Sequence, residues 1–336
     1  MPQRPGVLAV IGSGINSVAQ FSRESEAYLR WADRVFYLVW HPIAEEWIRQ
    51  HAAAAENMTA YYGEDKPRKL TYIQMAERVV EPLGEGLNVC AVFYGHPGVF
   101  VTPSHVAIRL AREAGHEAFM LPGVSALDCL FADLAVDPGE GCQIVEATDL
   151  LLHDRKILRD NHLIVLQIGS VGDLRFSRAG FDTSHFPLLI NRLRDEYGDS
   201  HEAVHYIAAR YPFAKAMIRR ARLIDFLRDE EVVKLQAVST LYVAPKDVVR
   251  VNDQVAEVFD RPSNRSKDAD STVPATGREL PPGSVIRPKQ AVYDLVLDMI
   301  ADPGLRVRYL TDPDGVLESY SDLTPRDREV IRALSG

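Results

Sequence analysis

The sequence predicts an α/β protein with parallel strands, because short apolar strands alternate with segments of helical periodicity. Residues 6–11, 34–39 and 87–91 are apolar runs of strand length, rich in β-branched or aromatic side chains. Helical patterns follow the first and the third of these runs. From residue 143 the strands are more widely separated, which predicts a second α/β subdomain with a mixed sheet. Its strands are expected at residues 143–146, 163–168, 203–207 and 237–243.

Composition excludes several function classes. The chain has 336 residues, of which 46% are hydrophobic and 25% charged, and its formal net charge is −9. Nucleic acid is not expected as a partner, because phosphate binding relies on Lys and Arg. The three cysteines, Cys90, Cys129 and Cys142, are odd in number and widely spaced, so we expect neither disulfides nor a metal site. Without a signal peptide or the roughly 18 apolar residues of a membrane helix, the protein is predicted to be cytoplasmic.

Residues 92–104 form a predicted strand-to-helix loop that contains two glycines and two prolines. In open α/β sheets ligands bind beside such loops, at the carboxyl ends of strands. The loop is either a plain turn or a place where the backbone approaches a ligand closely. The first strand also ends in glycines, at Gly12 and Gly14, but the third glycine of a dinucleotide-binding fingerprint is missing.

Arg68 and Tyr72 are four residues apart on a predicted helix that runs to about Glu81, which places both side chains on one face. Tyr62 arrives from the preceding loop. These side chains are either a surface arginine stacked on one tyrosine, with the second tyrosine in the core, or a catalytic group. As a catalytic group, they would combine hydrogen-bond donors to a carbonyl oxygen with a phenolate that can accept a proton.

The remaining chain divides into three parts. A strand at residues 117–121 ends in Pro122, Gly123 and small residues that suit a flat ligand. The basic residues between 210 and 222 are interpreted as a solvated helix face. Beyond residue 245 a Pro- and Ser-rich linker precedes a small module of three predicted helices, at residues 291–300, 305–310 and 325–334.

Residues 6 to 245 resemble the tetrapyrrole (corrin/porphyrin) methylase superfamily of S-adenosylmethionine-dependent methyltransferases. Within it the resemblance is closest to the borosin peptide α-N-methyltransferases. The tail at residues 291–334 looks like the helical domain that presents the substrate peptide in that family. The shared stretches are residues 10–15, Tyr61-Tyr62 with Arg68 and Tyr72, residues 93–101, residues 120–126, residues 128–134, residues 205–209 and Ser239-Thr240.

The resemblance implies an N-terminal methylase subdomain at residues 1–115 and a second α/β subdomain at 116–246, with the cofactor between them. It further implies an extended clasp at residues 247–289 and a helical substrate-presenting domain at 290–336. The partner it implies is a second copy of the chain in an interlocked homodimer.

The same resemblance assigns site residues. The catalytic group would be Tyr62, Arg68, Tyr72 and Tyr94. S-adenosylmethionine, released as S-adenosylhomocysteine, would lie with its methionine end in the Tyr94 loop and its adenosine in a second pocket. No metal is needed. The residues implied to bind the cofactor are Tyr94, His96, Pro97, Gly98, Val99, Phe100, Ser125, Ala126, Gln167, Ala208, Ser239 and Thr240.

Backbone N-methylation is chemically consistent with that group. The amide nitrogen lone pair is delocalised into the carbonyl, so transfer requires the amide to be pushed toward an imidate. Arg68 and Tyr72 would stabilise the carbonyl oxygen, typically by about 3 kcal/mol per donor. Tyr62 would accept the N–H proton directly or through water.

The substrate is expected to be a ribosomally made peptide that is methylated in cis or in trans. Known fungal members methylate their own hydrophobic C-terminus, whereas this sequence stops at Gly336 without an apolar segment. The substrate is therefore a separate precursor, a tail removed from this chain, or a tail that was lost. Two alternatives are a methylase that acts on a small molecule such as a tetrapyrrole and a non-catalytic homologue that binds a precursor.

Overall fold

The structure is a computed structural model that describes residues 6–211, 214–259 and 290–333. Most of the expected clasp, residues 260–289, lies outside the described residues. The strands are β1 (Val7–Gly12), β2 (Arg34–Leu38), β3 (Ala55–Asn57), β4 (Val89–Phe93), β5 (Glu117–Met120), β6 (Cys142–Glu146), β7 (His162–Leu166), β8 (Glu202–Ile207), β9 (Met217–Arg222) and β10 (Thr240–Val243).

Helices connect and cover these strands. The α-helices are α1 (Arg23–Trp31), α2 (Pro42–His51), α3 (Arg68–Val80), α4 (Thr102–Glu113), α5 (Ala126–Leu134), α6 (Ala147–Leu152), α7 (Phe186–Tyr197), α8 (Asp229–Val232), α9 (Asp253–Val258), α10 (Gln290–Ala301), α11 (Pro303–Thr311), α12 (Pro313–Glu318) and α13 (Pro325–Ala333). Short 3-10 helices occupy Met58–Tyr61, Glu81–Glu85, Pro138–Glu140, Ile168–Ser170 and Leu223–Leu227.

The first sheet is parallel, in the order β3-β2-β4-β1-β5. Its strands are apolar on both sides because helices cover both faces. On one face Met75 of α3 and Ala107 of α4 pack against alternate residues of β1 and β4. On the other face Tyr28 of α1 and Ile48 of α2 pack against the intervening residues. The carboxyl ends of the strands therefore lie at one edge, with α1 and α3 on opposite faces.

The second sheet is mixed, in the order β6-β7-β10-β8-β9, with only β6 and β7 parallel. The helices α6 and α7 cover one face through Leu150, Leu189 and Leu193. The other face packs on α5 through Leu130 and on the first domain through Ile15. The two α/β sheets thus pack on each other through one apolar cluster, and the predicted second sheet of mixed strands is confirmed.

Two details differ from the sequence-based expectation. Because β5 pairs with β1, the first sheet extends beyond the subdomain boundary expected at residue 115. The prediction that the basic run is a helix face is wrong. Most of the run forms β9, an edge strand whose arginines make ion pairs with neighbouring carboxylates. These pairs are Arg219 with Glu231, Arg220 with Glu202, and Arg222 with Asp225.

The C-terminal unit is helical, as expected, and includes one more helix than the three predicted, α12. Leu295, Leu305 and Leu317 form its core. It packs on α1, where the Arg306 guanidinium forms an ion pair with Glu24 and lies 5.3 Å from the Phe119 ring centroid. The unit is therefore on the face of the first sheet opposite α3.

Candidate active site

Three strand-end loops of the first sheet touch through their backbones. A Cβ on Gly12, at the end of β1, would lie 2.1 Å from the Gly95 carbonyl oxygen and 2.8 Å from Pro97 Cδ. A Cβ on Gly123, after β5, would lie 3.2 Å from the same oxygen. The Gly95 N–H donates to the Gly14 carbonyl over 3.0 Å. The carboxyl ends of β1, β4 and β5 thus form one compact ledge, and glycine is required because backbone occupies the space.

The loop after β4 is a tight turn with unusual backbone angles. Gly95 has φ +74° and Phe100 has φ +57°, a left-handed conformation that is uncommon for an aromatic residue. His96 Nδ1 accepts from the Gly98 N–H over 2.9 Å, and the Val99 N–H donates to the His96 carbonyl. The loop is therefore shaped before any ligand binds.

The residues predicted for the adenosine pocket come from one edge of the second sheet. Gln167 directly follows β7, Ala208 directly follows β8, and Ser239 directly precedes β10. Since β10 is antiparallel to both β7 and β8, its start lies beside their ends. The Ile168 N–H donates to the Ser239 carbonyl over 3.2 Å. Gln167 is exposed and has φ +58°, while Thr240 is buried within the sheet.

A buried hydrogen bond supports that edge. His205 Nε2 lies 2.7 Å from Ser239 Oγ, and this hydroxyl also accepts from the Gln236 N–H over 2.9 Å. Both side chains are fully buried. Burial lowers the pKa of His205 to about 4, so the imidazole is neutral at physiological pH.

The two edges meet in one cluster. Tyr94 and Ala126 pack against the buried cluster that includes Tyr206 and Ala208, and the His41 ring lies edge-on to Tyr211 with their centroids 4.2 Å apart. Burial raises the pKa of Tyr94 to about 12. The predicted methionine-end and adenosine-end residues therefore face each other across the contact between the two domains.

Ser125 already has a structural role. It is the N-cap of α5, where its Oγ accepts from the Leu127 N–H over 3.1 Å, and Asp128 completes a capping box. The hydroxyl is thus used locally, in the cap of α5.

Tyr62, Arg68 and Tyr72 lie together, as the resemblance implied. The rings of Tyr62 and Tyr72 meet edge to face with centroids 6.5 Å apart. Burial raises the pKa of Tyr62, as does the neighbouring Tyr72, while Arg68 acts in the opposite direction. The Tyr94 N–H donates to the Leu38 carbonyl at the end of β2. Two residues further on, the Trp40 ring lies 6.1 Å from that of Tyr62, which links the group to the Tyr94 loop.

Three side chains beside the group were missed by reasoning from the sequence. Phe176 stacks on Tyr62 at 4.7 Å, Phe181 lies 4.4 Å from the Arg68 guanidinium, and Asp173 lies 3.4 Å from Arg68 Nη2. All three belong to a loop between β7 and α7, more than a hundred positions along the chain from Arg68. Its sequence has no periodic pattern, so only the fold shows that the contact exists.

Among the described residues, no helix combines the length and hydropathy needed to span a bilayer. The cysteines Cys90, Cys129 and Cys142 are unpaired.

The sequence also matches known proteins. Residues 7–210 match the family model of Tetrapyrrole (Corrin/Porphyrin) Methylases. A methyltransferase/ribosomally synthesized cyclic peptide dendrothelin A precursor from Dendrothele bispora is 37% identical over 98% of this chain and 85% of that protein. The corresponding omphalotin A precursor from Omphalotus olearius is 36% identical over the same shares. A type III borosin cyclic peptide precursor from Anomoporia bombycina is 44% identical over 75% of this chain and 30% of that protein.

Solved structures agree on the fold. Uroporphyrin-III-C-methyltransferase from Thermus thermophilus has a TM-score of 0.51 and 17% identity, over 78% of this chain and 98% of that chain. The methyltransferase CobJ has a TM-score of 0.51 and 19% identity, over 74% and 97%. The chain is therefore a methyltransferase of the tetrapyrrole (corrin/porphyrin) methylase family, and its relatives make it a member of the borosin group.

Proposed function

We propose that this enzyme transfers methyl groups from S-adenosylmethionine to backbone amide nitrogens of a ribosomally made peptide. The observation that carries the proposal is the grouping of Tyr62, Arg68 and Tyr72 next to the Tyr94 loop. A peptide amide has a carbonyl oxygen to be stabilised and a proton to be removed, and this group offers a partner for each. The relatives named as cyclic peptide precursors support the same substrate class.

The two facing edges fit S-adenosylmethionine. Gly12, Gly95 and Gly123 let backbone form the ledge without side chains, which leaves room for a ligand to lie against peptide groups. His96 to Phe100 would hold the methionine end, and Ala126, Gln167, Ala208 and Ser239 the adenosine end. When bound, the cofactor supplies an electrophilic methyl group.

Arg68 and Tyr72 would donate hydrogen bonds to the peptide carbonyl oxygen. Negative charge grows on that oxygen as the amide moves toward an imidate, and donors already in place stabilise it without reorganisation. Only Nη2 of Arg68 is used in its contacts with Asp173 and Arg175. Since a guanidinium carries five N–H donors, Nε and Nη1 can serve the substrate.

Tyr62 would receive the amide proton at its phenolate oxygen. Its raised pKa makes the phenolate scarce at neutral pH and strongly basic once formed. The positive charge of Arg68 favours that phenolate. Transfer at the nitrogen then leaves the proton on Tyr62 and restores a neutral, methylated amide.

The surroundings of the group suit an apolar peptide. Trp40 and Ile43 after β2, Leu70 on α3, and Leu174 and Phe181 on the loop opposite are all exposed. Exposed apolar side chains around a polar centre are typical of a binding surface. We infer that they contact the side chains of the substrate.

We further propose a homodimer in which each copy presents substrate to the other. The C-terminal unit packs on α1, on the face of the first sheet opposite α3. A peptide that follows it starts away from its own Arg68 and Tyr72. Val248, Val249 and Val258, together with Phe259, are exposed before the C-terminal unit and would be covered in a dimer. The unpaired cysteines fit a cytoplasmic location.

The experiment that tests the function separates catalysis from cofactor binding. The chain is fused after Gly336 to a peptide of valine, isoleucine and glycine, and methyl transfer is followed by mass spectrometry. Tyr72→Phe removes the hydroxyl and should lower the rate roughly 10²-fold or more. The dissociation constant of S-adenosylmethionine, measured by calorimetry, should stay unchanged.

The matched control is Tyr61→Phe, whose hydroxyl contacts Glu56 at 3.4 Å outside the group. It should transfer methyl groups at the wild-type rate. A Tyr72→Phe variant as active as Tyr61→Phe would refute the catalytic assignment.

A further inference from the structure

The loop opposite the catalytic group is a strap, residues 172–182, that connects the two domains. It leaves the second sheet after Ile168–Ser170 and pairs with the backbone in front of α3. The Phe176 N–H donates to the Lys66 carbonyl over 3.1 Å, and the Asp65 N–H donates to the Phe176 carbonyl over 2.9 Å. The Arg68 N–H donates to the Leu174 carbonyl over 3.1 Å. The strap is thus attached at the residue where the catalytic helix begins.

Asp173 organises this strap from within. Its Oδ1 accepts from the Arg175 N–H over 3.2 Å, and its Oδ2 accepts from the Asp182 N–H over 3.1 Å. The carboxylate therefore holds both ends of the strap together. The same Oδ2 lies 3.4 Å from Arg68 Nη2.

The Arg68 guanidinium is held on three sides by the strap. Besides Asp173, the Arg175 carbonyl accepts from Nη2 over 3.0 Å and the Phe181 ring centroid lies 4.4 Å from Cζ. The side chains of Arg68 and Asp173 are only 18% and 13% exposed. An ion pair shielded to this extent constrains geometry far more than an exposed pair does.

We propose that Asp173, which belongs to the second domain, is a positioning residue that orients Arg68 of the first domain for methyl transfer. This inference rests on the proposed function, because Arg68 needs orientation only if it serves the substrate. The strap engages Nη2, and Nε and Nη1 are the donors that would serve the substrate. Phe176, stacked on Tyr62, fixes the second member of the group from the same strap. The second domain therefore completes a catalytic group whose reacting side chains all belong to the first.

The orientation can be measured without substrate. In protein labelled with ¹⁵N-arginine, hindered rotation of the Arg68 guanidinium should give separate Nη signals, assigned with Arg68→Lys. Asp173→Asn keeps one of the two oxygen acceptors of the strap and replaces the other with an amide nitrogen, which also removes the charge, so the Nη signals should merge. Separate Nη signals in Asp173→Asn would overturn the inference.

The effect on the reaction is tested with the same chain fused to the valine, isoleucine and glycine peptide. Asp173→Asn should lower kcat roughly 10²-fold, as expected for a misplaced catalytic group. Cofactor affinity should stay at the wild-type value, whereas the thermal midpoint should fall, because the amide nitrogen cannot accept from one of the two strap N–H groups. The control is Arg178→Ala, which removes an exposed side chain of the same strap and keeps the backbone N–H that donates to Glu64 Oε2 over 3.0 Å. It should keep wild-type kcat.

A double-mutant cycle separates positioning from a merely structural role. In an Arg68→Lys background, Asp173→Asn should cause no further loss of kcat, because the two residues act as one unit. Independent losses that multiply would overturn the inference. If Asp173→Asn does not fold, Asp173→Glu keeps a charged acceptor but displaces it by one methylene. It should fold and lose activity, and full activity would contradict the proposal.

The two proposals fail in different ways. A wild-type chain that transfers no methyl group, yet shows separate Arg68 Nη signals that merge in Asp173→Asn, would refute the proposed function alone. A wild-type chain that methylates the peptide, with Asp173→Asn equally active, would refute the role of Asp173 alone.

Discussion

The edge of the first sheet is held together by backbone contacts, whereas the edge of the second sheet is held by buried side chains. In the first, Gly12, Gly95 and Gly123 bring three loops within contact distance. In the second, His205 and Ser239 form a buried hydrogen bond beside the strand ends that carry Gln167 and Ala208. The two edges face each other, but different changes disturb them. Added side-chain atoms disturb the edge of the first sheet, and protonation of His205 disturbs the edge of the second.

The largest effect is expected from adding one methyl group to the backbone ledge. In Gly12→Ala the Cβ would meet the Gly95 carbonyl at 2.1 Å, closer than van der Waals contact allows. We expect a loss of about 3 kcal/mol in unfolding free energy, at the upper end for overpacking, and no cofactor binding. Chemical denaturation and calorimetry measure both.

The matched control is Gly84→Ala, where a Cβ would meet nothing within 4 Å. It should retain wild-type stability and affinity. A Gly12→Ala variant that behaves like Gly84→Ala would break the distinction between the two edges.

The next effect is acid sensitivity of the second edge. The folded-state pKa of His205, about 4, lies below the ordinary histidine value of 6.5, so the unfolded chain binds the proton first. Stability should be full above pH 6.5 and fall as pH drops to 4. The total contribution is about 3 kcal/mol, reached only at the acid end.

His205→Gln keeps a polar atom for Ser239 but cannot titrate, so its stability should fall less steeply over the same range. Some slope remains, because burial also lowers the pKa of His41 and the Arg219 guanidinium lowers the pKa of Glu231. The free energy of unfolding is measured by denaturation at pH 4 to 7. If it falls equally steeply with decreasing pH in wild type and in His205→Gln, the result would contradict this account.

A third effect concerns the pH dependence of the reaction. Burial raises the pKa of Tyr62, so the reactive phenolate increases with pH throughout the neutral range. With the fused peptide, the rate should rise about tenfold per pH unit from pH 7 to 9, the slope for one deprotonation. Tyr62→Phe should be slow and independent of pH. A flat wild-type profile would exclude Tyr62 as the proton acceptor.

The smallest effect is expected at Ser125, which caps a helix and is also among the residues that the family resemblance implies for cofactor binding. Because its hydroxyl caps α5, Ser125→Ala should cost about 1 kcal/mol of stability. Cofactor affinity should change little, since the backbone near Ala126 remains in place. The control is Ser22→Ala, which removes the N-cap of α1. A large loss of affinity in Ser125→Ala alone would show that the hydroxyl contacts the cofactor.

Much of the site could be predicted from the sequence because its residues follow strands. Gly12, the Tyr94 loop and Gly123 end three parallel strands, and parallel strands carry their carboxyl ends to one edge. The spacing of Arg68 and Tyr72 predicted a shared helix face, and α3 begins at Arg68. The family resemblance was confirmed by the relatives and the family model.

Other features could not be predicted from local pattern. The strand β3 has three residues, and β9 is an exposed edge strand in which arginines replace the apolar alternation. Asp173 and Phe176 reach Arg68 and Tyr62 only through the fold, because their loop has no periodicity. Long-range contacts of this kind depend on how the two domains pack.

Tandem mass spectrometry of the purified chain tests the central claim most directly. In one reaction the chain fused to the valine, isoleucine and glycine peptide is incubated with S-adenosylmethionine. In a second reaction the unfused chain is incubated with the free peptide and S-adenosylmethionine. Fragment masses locate each added methyl group. We expect methyl groups on backbone amide nitrogens of the peptide, added roughly 10²-fold more slowly, or more slowly still, with Tyr72→Phe. Methyl groups on side chains only, or none despite bound cofactor, would contradict the claim that this enzyme methylates peptide backbones.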